Sequence, residues 1–101
     1  MLVIGGPIRL DGAKREEAIA AAREMMEATR KEPGCISYTF SADLEDPGCF
    51  MIFEEWESQE ALEAHFKTPH MAAFGAAIAK IKPTSMNLKV YEVAREVALP
   101  S

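Results

Sequence analysis

Phe50-Met51-Ile52-Phe53 is apolar at every position, inside a stretch, Cys49 to Glu57, that otherwise alternates in the manner of a β-strand. A strand with helices on one side and water on the other should carry apolar residues at every second position only. An apolar run on both parities implies that the second face of the sheet is covered as well. In a chain of 101 residues the obvious cover is the sheet of a second copy, so the run predicts a homodimer with two sheets face to face. A core as thin as a chain of this length can build gains from such pairing.

The neighbouring sequence places the strand in a small α+β fold. Cys35 to Ala42 carries Ile36, Tyr38 and Phe40 on one parity, and Asp46-Pro47-Gly48 turns it into Cys49 to Glu57, where Phe50, Ile52, Glu54 and Trp56 share a face. Upstream, Leu2 to Leu10 reads as a strand that is bulged or at an edge, because Gly5, Gly6 and Pro7 lie in its middle. Asp11 then caps a helix from about Gly12 to Lys31, whose stripe of Ala18, Ile19, Ala22, Met25, Met26 and Thr29 recurs at spacings of three and four until Pro33-Gly34 stops it. Downstream, Ser58 caps a short helix, Thr68-Pro69 restarts a second one, and Pro83 ends it before a last strand from Thr84 to Val93. Strand, helix, strand, strand, helices, strand is the order of a ferredoxin-like split βαβ unit with an antiparallel sheet, here expected as one domain over residues 1–101.

Composition narrows the function. The chain is 49% hydrophobic and 27% charged, within the ordinary globular range. Its net charge is −5, and Asp43, Glu45, Asp46, Glu54, Glu55, Glu57, Glu60 and Glu63 follow one another without an intervening Lys or Arg. That sign repels nucleic acid and anionic membrane surfaces, which leaves a small molecule or another protein as partner. Nothing reads as a signal peptide or a membrane span, so the expected location is the cytoplasm. Cys35 and Cys49 would stand roughly 20 Å apart across the hairpin at ~3.3 Å per residue, too far for a disulfide. Free, inert thiols in a reducing compartment are expected.

His65 and His70 fall beside Trp56 in the one chemically concentrated segment. Five residues apart and across a helix break, they can face one space, and His70 at the second helical position meets a helix dipole that favours a neutral, proton-accepting imidazole. The competing reading is two half-solvated histidines at helix ends. No metal is expected, since the pair lacks the i, i+4 spacing and no cysteine or acid completes a ligand set. Glu57, Glu60 and Glu63 read as a solvated helix face. Trp56, Phe66, Phe74, Tyr38, Tyr91, Met51 and Met71 are candidates for the lining of an apolar cavity between sheet and helices, or else simply core.

The segments Glu32-Pro33-Gly34-Cys35-Ile36-Ser37-Tyr38, Asp46-Pro47-Gly48, Phe53-Glu54-Glu55-Trp56-Glu57-Ser58, His65, and Thr68-Pro69-His70-Met71 with Phe74 resemble the antibiotic biosynthesis monooxygenase family, in its quinol-monooxygenase-like branch. The resemblance implies a dimeric α+β barrel and a cofactor-independent oxidation of a quinol or related phenol by molecular oxygen. Carried over by position, it implies His65 and His70 as the catalytic proton carriers, with Trp56, Tyr38, Phe66, Met71 and Phe74 binding substrate. The haem-degrading pattern is not matched, because the positions where it needs an asparagine, an aromatic and a histidine read Gly5-Gly6, His65 and Gly75. A binding or isomerase-type protein of the same fold stands as the alternative.

Overall fold

The computed structural model describes residues 1–101. The elements run β1 (Leu2–Arg9), a 3-10 turn (Gly12–Lys14), α1 (Arg15–Thr29), β2 (Cys35–Ala42), β3 (Cys49–Trp56), α2 (Gln59–His65), α3 (Pro69–Ile81), β4 (Ser85–Met86) and β5 (Lys89–Glu92). The strand order is β2-β3-β1-β4, with β5 also on β1, and every pair is antiparallel. This is the ferredoxin-like arrangement expected from the element order.

Strand parity decides the layers. Ile4 and Ile8 of β1, Tyr38 of β2, and Phe50, Ile52, Glu54 and Trp56 of β3 all turn to the helix side and are buried. Ile4, Tyr38, Ile52 and Trp56 pack with Met25 of α1 and Leu62 of α2, while Phe50 packs with Leu10, Ala18 and Ile81. The predicted stripe of α1 is the face it buries, through Ala18, Ala22, Met25 and Thr29. On the other side of the sheet Met51 is 43% and Phe53 48% exposed, so the second apolar parity of β3 lies open in the single chain.

Three local expectations are corrected. Asp11 caps the 3-10 turn, accepting from the N–H of Ala13, and the α-helix begins only at Arg15. Ile36 does not share a face with Tyr38: the pairing with β3 skips between Cys35 and Ser37, a bulge that turns Ile36 outward. β1 is central rather than an edge. Its Gly6-Pro7 irregularity is absorbed by the last strand, which breaks at Asn87-Leu88 into β4 and β5. Pro7 has no N–H to give that strand but accepts from the N–H of Asn87 at 3.0 Å. Gly6, at φ 151°, lets Asn87 approach so closely that a Cβ would stand 2.0 Å from its carbonyl oxygen.

Both caps of the later helices form as read: Ser58 accepts from the N–H of Ala61, and Thr68 from that of Met71, with Pro69 opening α3. The cysteines are free. Cys35 pairs with Trp56 and Cys49 with Arg9, so they sit toward opposite ends of β3. Burial, reinforced by the charge of Glu32, pushes the Cys35 thiol up and so disfavours the thiolate. No helix is long and apolar enough to cross a membrane.

Candidate active site

The turn after α1 reaches α2 because of Gly34. At φ 84° it adopts a backbone that other residues rarely hold, and an added Cβ would lie 2.5 Å from that of Ala61. The N–H of Glu57 donates to the Gly34 carbonyl at 2.9 Å and the N–H of Cys35 to that of Glu32 at 3.2 Å, which pins the turn against the start of α2. Glu32 is thereby delivered to the far end of α2. There His65 is the last helical residue, and Thr68 donates its hydroxyl to the His65 carbonyl at 2.7 Å before capping α3. The tight link brings His70, the second residue of α3, round to the same carboxylate.

Oε2 of Glu32 lies 2.7 Å from Nδ1 of His65 and 2.6 Å from Nε2 of His70. An ionised carboxylate only accepts, so both ring atoms act as N–H donors to it. In the neutral ring Nε2 of His65 is then the proton-accepting nitrogen, and it makes no hydrogen bond within the chain. His65 is 2% exposed, Glu32 10% and His70 25%, so the three run from the interior to the surface. The His65 ring is boxed by Trp56 at 4.8 Å, Phe66 at 5.6 Å and Tyr38 at 5.7 Å between centroids.

His65 forms part of the wall of a cavity of about 230 Å³ between the sheet and the later helices. Its lining is apolar except for three groups: His65, the Tyr38 phenol and the Glu54 carboxyl. Leu88, with Met86 and Val90 to either side, forms the wall on the β4–β5 side. Glu54 is buried and accepts the indole N–H of Trp56 at 2.9 Å. Burial pushes its carboxyl up to about 7, the Trp56 hydrogen bond opposing and the charge of Glu32 assisting. Burial likewise pushes the Tyr38 phenol up, with Glu54 adding to the effect, so Tyr38 stays a donor at neutral pH. A second apolar space, bounded by Ile8, Leu10, Phe50 and Ile78, has about 20 Å³ and no polar group, room for little more than a water.

Of the residues singled out from the sequence, Tyr38, His65, Phe66, Met71 and Phe74 meet at this cavity. Trp56 does not line it: fully buried, it lies behind His65 and holds Glu54. His70 is also set back, sharing Glu32 as hydrogen-bond partner with His65, its ring 6.1 Å from that of His65, and bordering a smaller recess with Met25 and Phe74. Met51 and Tyr91 are excluded from the lining, Met51 by its odd parity on β3, and both are exposed. Glu57, Glu60 and Glu63 are solvated as expected.

Two carboxylates escaped the sequence reading. Glu32 corrects the expectation that no acid joins the histidines; its contact to His65 spans 33 positions and no local pattern announces it. Glu54 had a legible signal, an acid on the buried parity of β3 between Ile52 and Trp56. The donor atoms of Glu32, His65 and His70 lie within 4.8 Å of one another, a two-imidazole, one-carboxylate set of the kind that binds first-row metals. The 2.6 and 2.7 Å separations are hydrogen-bond lengths, shorter than the roughly 3.3 Å between ligands sharing a tetrahedral ion at ~2.0 Å.

An antiparallel sheet backed by helices, with a carboxylate-held imidazole on an apolar pocket between them, defines a small α+β protein of ferredoxin-like fold. Residues 1–77 match the family described as antibiotic biosynthesis monooxygenase, and the chain belongs to that family. It is 35% identical over 98 residues to the uncharacterized protein sll1783 of Synechocystis sp., covering 97% of this chain and 67% of that one. It is 29% identical over 86 residues to the Escherichia coli K12 protein named "Probable quinol monooxygenase YgiN", covering 77% and 82% of the two chains. Among solved structures, one from Deinococcus radiodurans titled "putative antibiotic biosynthesis monooxygenase" superposes with a TM-score of 0.91 at 25% identity, over all of both chains.

Proposed function

We propose that the protein is a cofactor-independent monooxygenase that oxidises a quinol or related phenolic molecule with molecular oxygen. The observation that carries this reading is the Glu32–His65 contact, which leaves Nε2 without a partner in the chain, on a residue that lines an apolar cavity. A carboxylate that holds Nδ1–H fixes the tautomer, leaves Nε2 as the proton-accepting nitrogen and stabilises the imidazolium once a proton arrives. The substrate hydroxyl transfers its proton to Nε2, and the Tyr38 hydroxyl, which makes no hydrogen bond of its own in the chain, donates to the resulting phenolate. The electron-rich anion reduces oxygen directly. For a hydroquinone the balance is one diol plus O2 giving one hydroxyquinone plus water. The cavity volume suits a molecule of one or two rings.

His70 links Glu32 to the surface. Phe66, Met71 and Phe74 form the apolar walls that hold the ring, and Trp56 acts from behind by fixing His65 and Glu54. The functional unit is one domain over residues 1–101, paired as a homodimer through the open sheet face that carries Met51 and Phe53 to close the α+β barrel. The free thiols support a reducing, cytoplasmic setting.

The test is oxygen uptake by purified protein with hydroquinones and naphthols, set against the autoxidation blank. Uptake above the blank that disappears in His65→Ala is the expected result. A rate equal to the blank across the panel removes the reading, and substrate conversion without oxygen uptake replaces it with an isomerase.

A further inference from the structure

Glu54 is a carboxylate among apolar neighbours on the buried face of the sheet, and its hydrogen bond to Trp56 occupies only one of its oxygens. It occupies a helix-facing position of β3 between Ile52 and Trp56, is 5% exposed, and has no cation within ion-pair distance. Its Oε1 takes the Trp56 indole N–H. Its second oxygen has no partner in the chain, yet Thr29 Oγ1 is the one fully enclosed side-chain polar atom left without a hydrogen bond, so that second oxygen is not sealed in. The space it opens on is the cavity it lines together with His65 and Tyr38. An acid in such a position costs stability unless a ligand uses it.

We propose that Glu54 is a second proton acceptor of the cavity, receiving the second hydroxyl of a dihydroxy aromatic whose first hydroxyl faces His65, and so selecting diols over monohydroxy phenols. The assignment rests on the monooxygenase reading and extends it from one acceptor to two. In the reaction, the first O–H bond breaks with its proton passing to Nε2 of His65. The second breaks with its proton passing to the Glu54 carboxylate as the ring gives electrons to oxygen. One oxygen atom becomes the new ring hydroxyl, and the two protons held on His65 and Glu54 leave on the other as water. A monophenol leaves the Glu54 oxygen desolvated and unpaired, and that penalty is the source of the discrimination. Neutral-pH chemistry suits the group, since burial brings its proton affinity close to the working range.

The experiment is anaerobic calorimetric titration of the wild-type protein and Glu54→Gln with 1,4-dihydroxynaphthalene and with 1-naphthol. Gln keeps the shape and still accepts from Trp56, but presents an NH2 to the cavity in place of an acceptor. The wild type should bind the diol roughly tenfold or more tighter than the naphthol, the scale of one charge-assisted hydrogen bond. Glu54→Gln should reduce that preference to about twofold without weakening the naphthol. Equal binding of both ligands by the wild type, binding of neither, or a preference untouched by the substitution overturns the proposal. The wild-type comparison stands even where the variant does not fold. Because oxygen is absent, a protein that shows the preference but consumes no oxygen with the diol refutes the monooxygenase reading alone. One that consumes oxygen and keeps its preference in Glu54→Gln refutes the role of Glu54 alone.

Discussion

Nδ1 of His65 stands 2.7 Å from Oε2 of Glu32 across 33 positions of sequence, in an environment where His65 is 2% exposed. Such a contact sets the tautomer of the neutral ring, and with it which nitrogen is left to accept a proton. Glu32→Gln keeps the shape but removes the charge that stabilises a protonated His65. Turnover should fall by about 10²-fold or more with little change in KM, since the interaction grows as the proton arrives. Steady-state oxygen uptake measures both constants, and an unchanged kcat would remove Glu32 from the mechanism.

The two histidines should separate in their effects. His65 borders the cavity, whereas His70 has Glu32 as its one side-chain hydrogen-bond partner and is a quarter exposed. His65→Ala should cost about 10²–10⁴-fold in kcat, the usual worth of a general base. For His70→Ala a loss of about tenfold or less is expected, because water can replace an exposed relay. Equal losses in the two variants would place both at the substrate.

Gly34 positions Glu32 through its φ of 84° and its contact with Ala61. Gly34→Ala combines backbone strain with a clash and should lower unfolding stability by about 1–3 kcal/mol. Urea denaturation measures that loss, and activity should fall further than the loss of folded protein accounts for. Wild-type stability in the variant would contradict the close approach of the turn to α2.

Glu54 gives the folded state a pH dependence of known sign. Its folded pKa of about 7 lies above the ordinary 4.5, so its contribution is fully present below pH 4.5 and is lost as pH rises to about 7. Stability should therefore decline across that window, and Glu54→Gln should flatten the decline. Trp56 is the sole tryptophan and donates to Glu54, so its emission should titrate with a midpoint near 7 in the wild type only. Denaturation series between pH 4.5 and 8 provide the check.

The open face of the sheet predicts the quaternary state. Phe53 and Met51 are about half exposed in the single chain. Sedimentation should give a species of twice the 11.1 kDa chain mass, and Phe53→Glu should convert it to monomer by placing a charge in an apolar contact. A wild-type monomer at micromolar concentration would refute the pairing.

Much of the architecture was legible in local chemistry. The Cys35–Ala42 and Cys49–Trp56 hairpin, the Ser58 and Thr68 caps and the stripe of α1 depend on residues within one turn or one strand of each other, which is the range over which periodicity and capping act. The departures came where one element answers to another. Ile36 turns outward because β3 skips a partner, and the last strand breaks because Gly6 and Pro7 of β1 lie against it. In the site, the aromatic and histidine positions were readable as a group, but the division of labour among them was not. Trp56 backs the pocket instead of lining it, and His70 shares Glu32 with His65 without lining the cavity.

The sequence by itself determined the order of elements, the buried parity of β3 and the presence of both histidines near one helix break, because each follows from spacing along the chain. Only the tertiary structure decided that Glu32 joins the two histidines and that Glu54 looks into the cavity beside His65. Those relations arise from a left-handed glycine meeting a distant helix and from the stacking of helices over a sheet, and distances of that kind are set by packing in three dimensions, with no period or neighbour in the chain to record them.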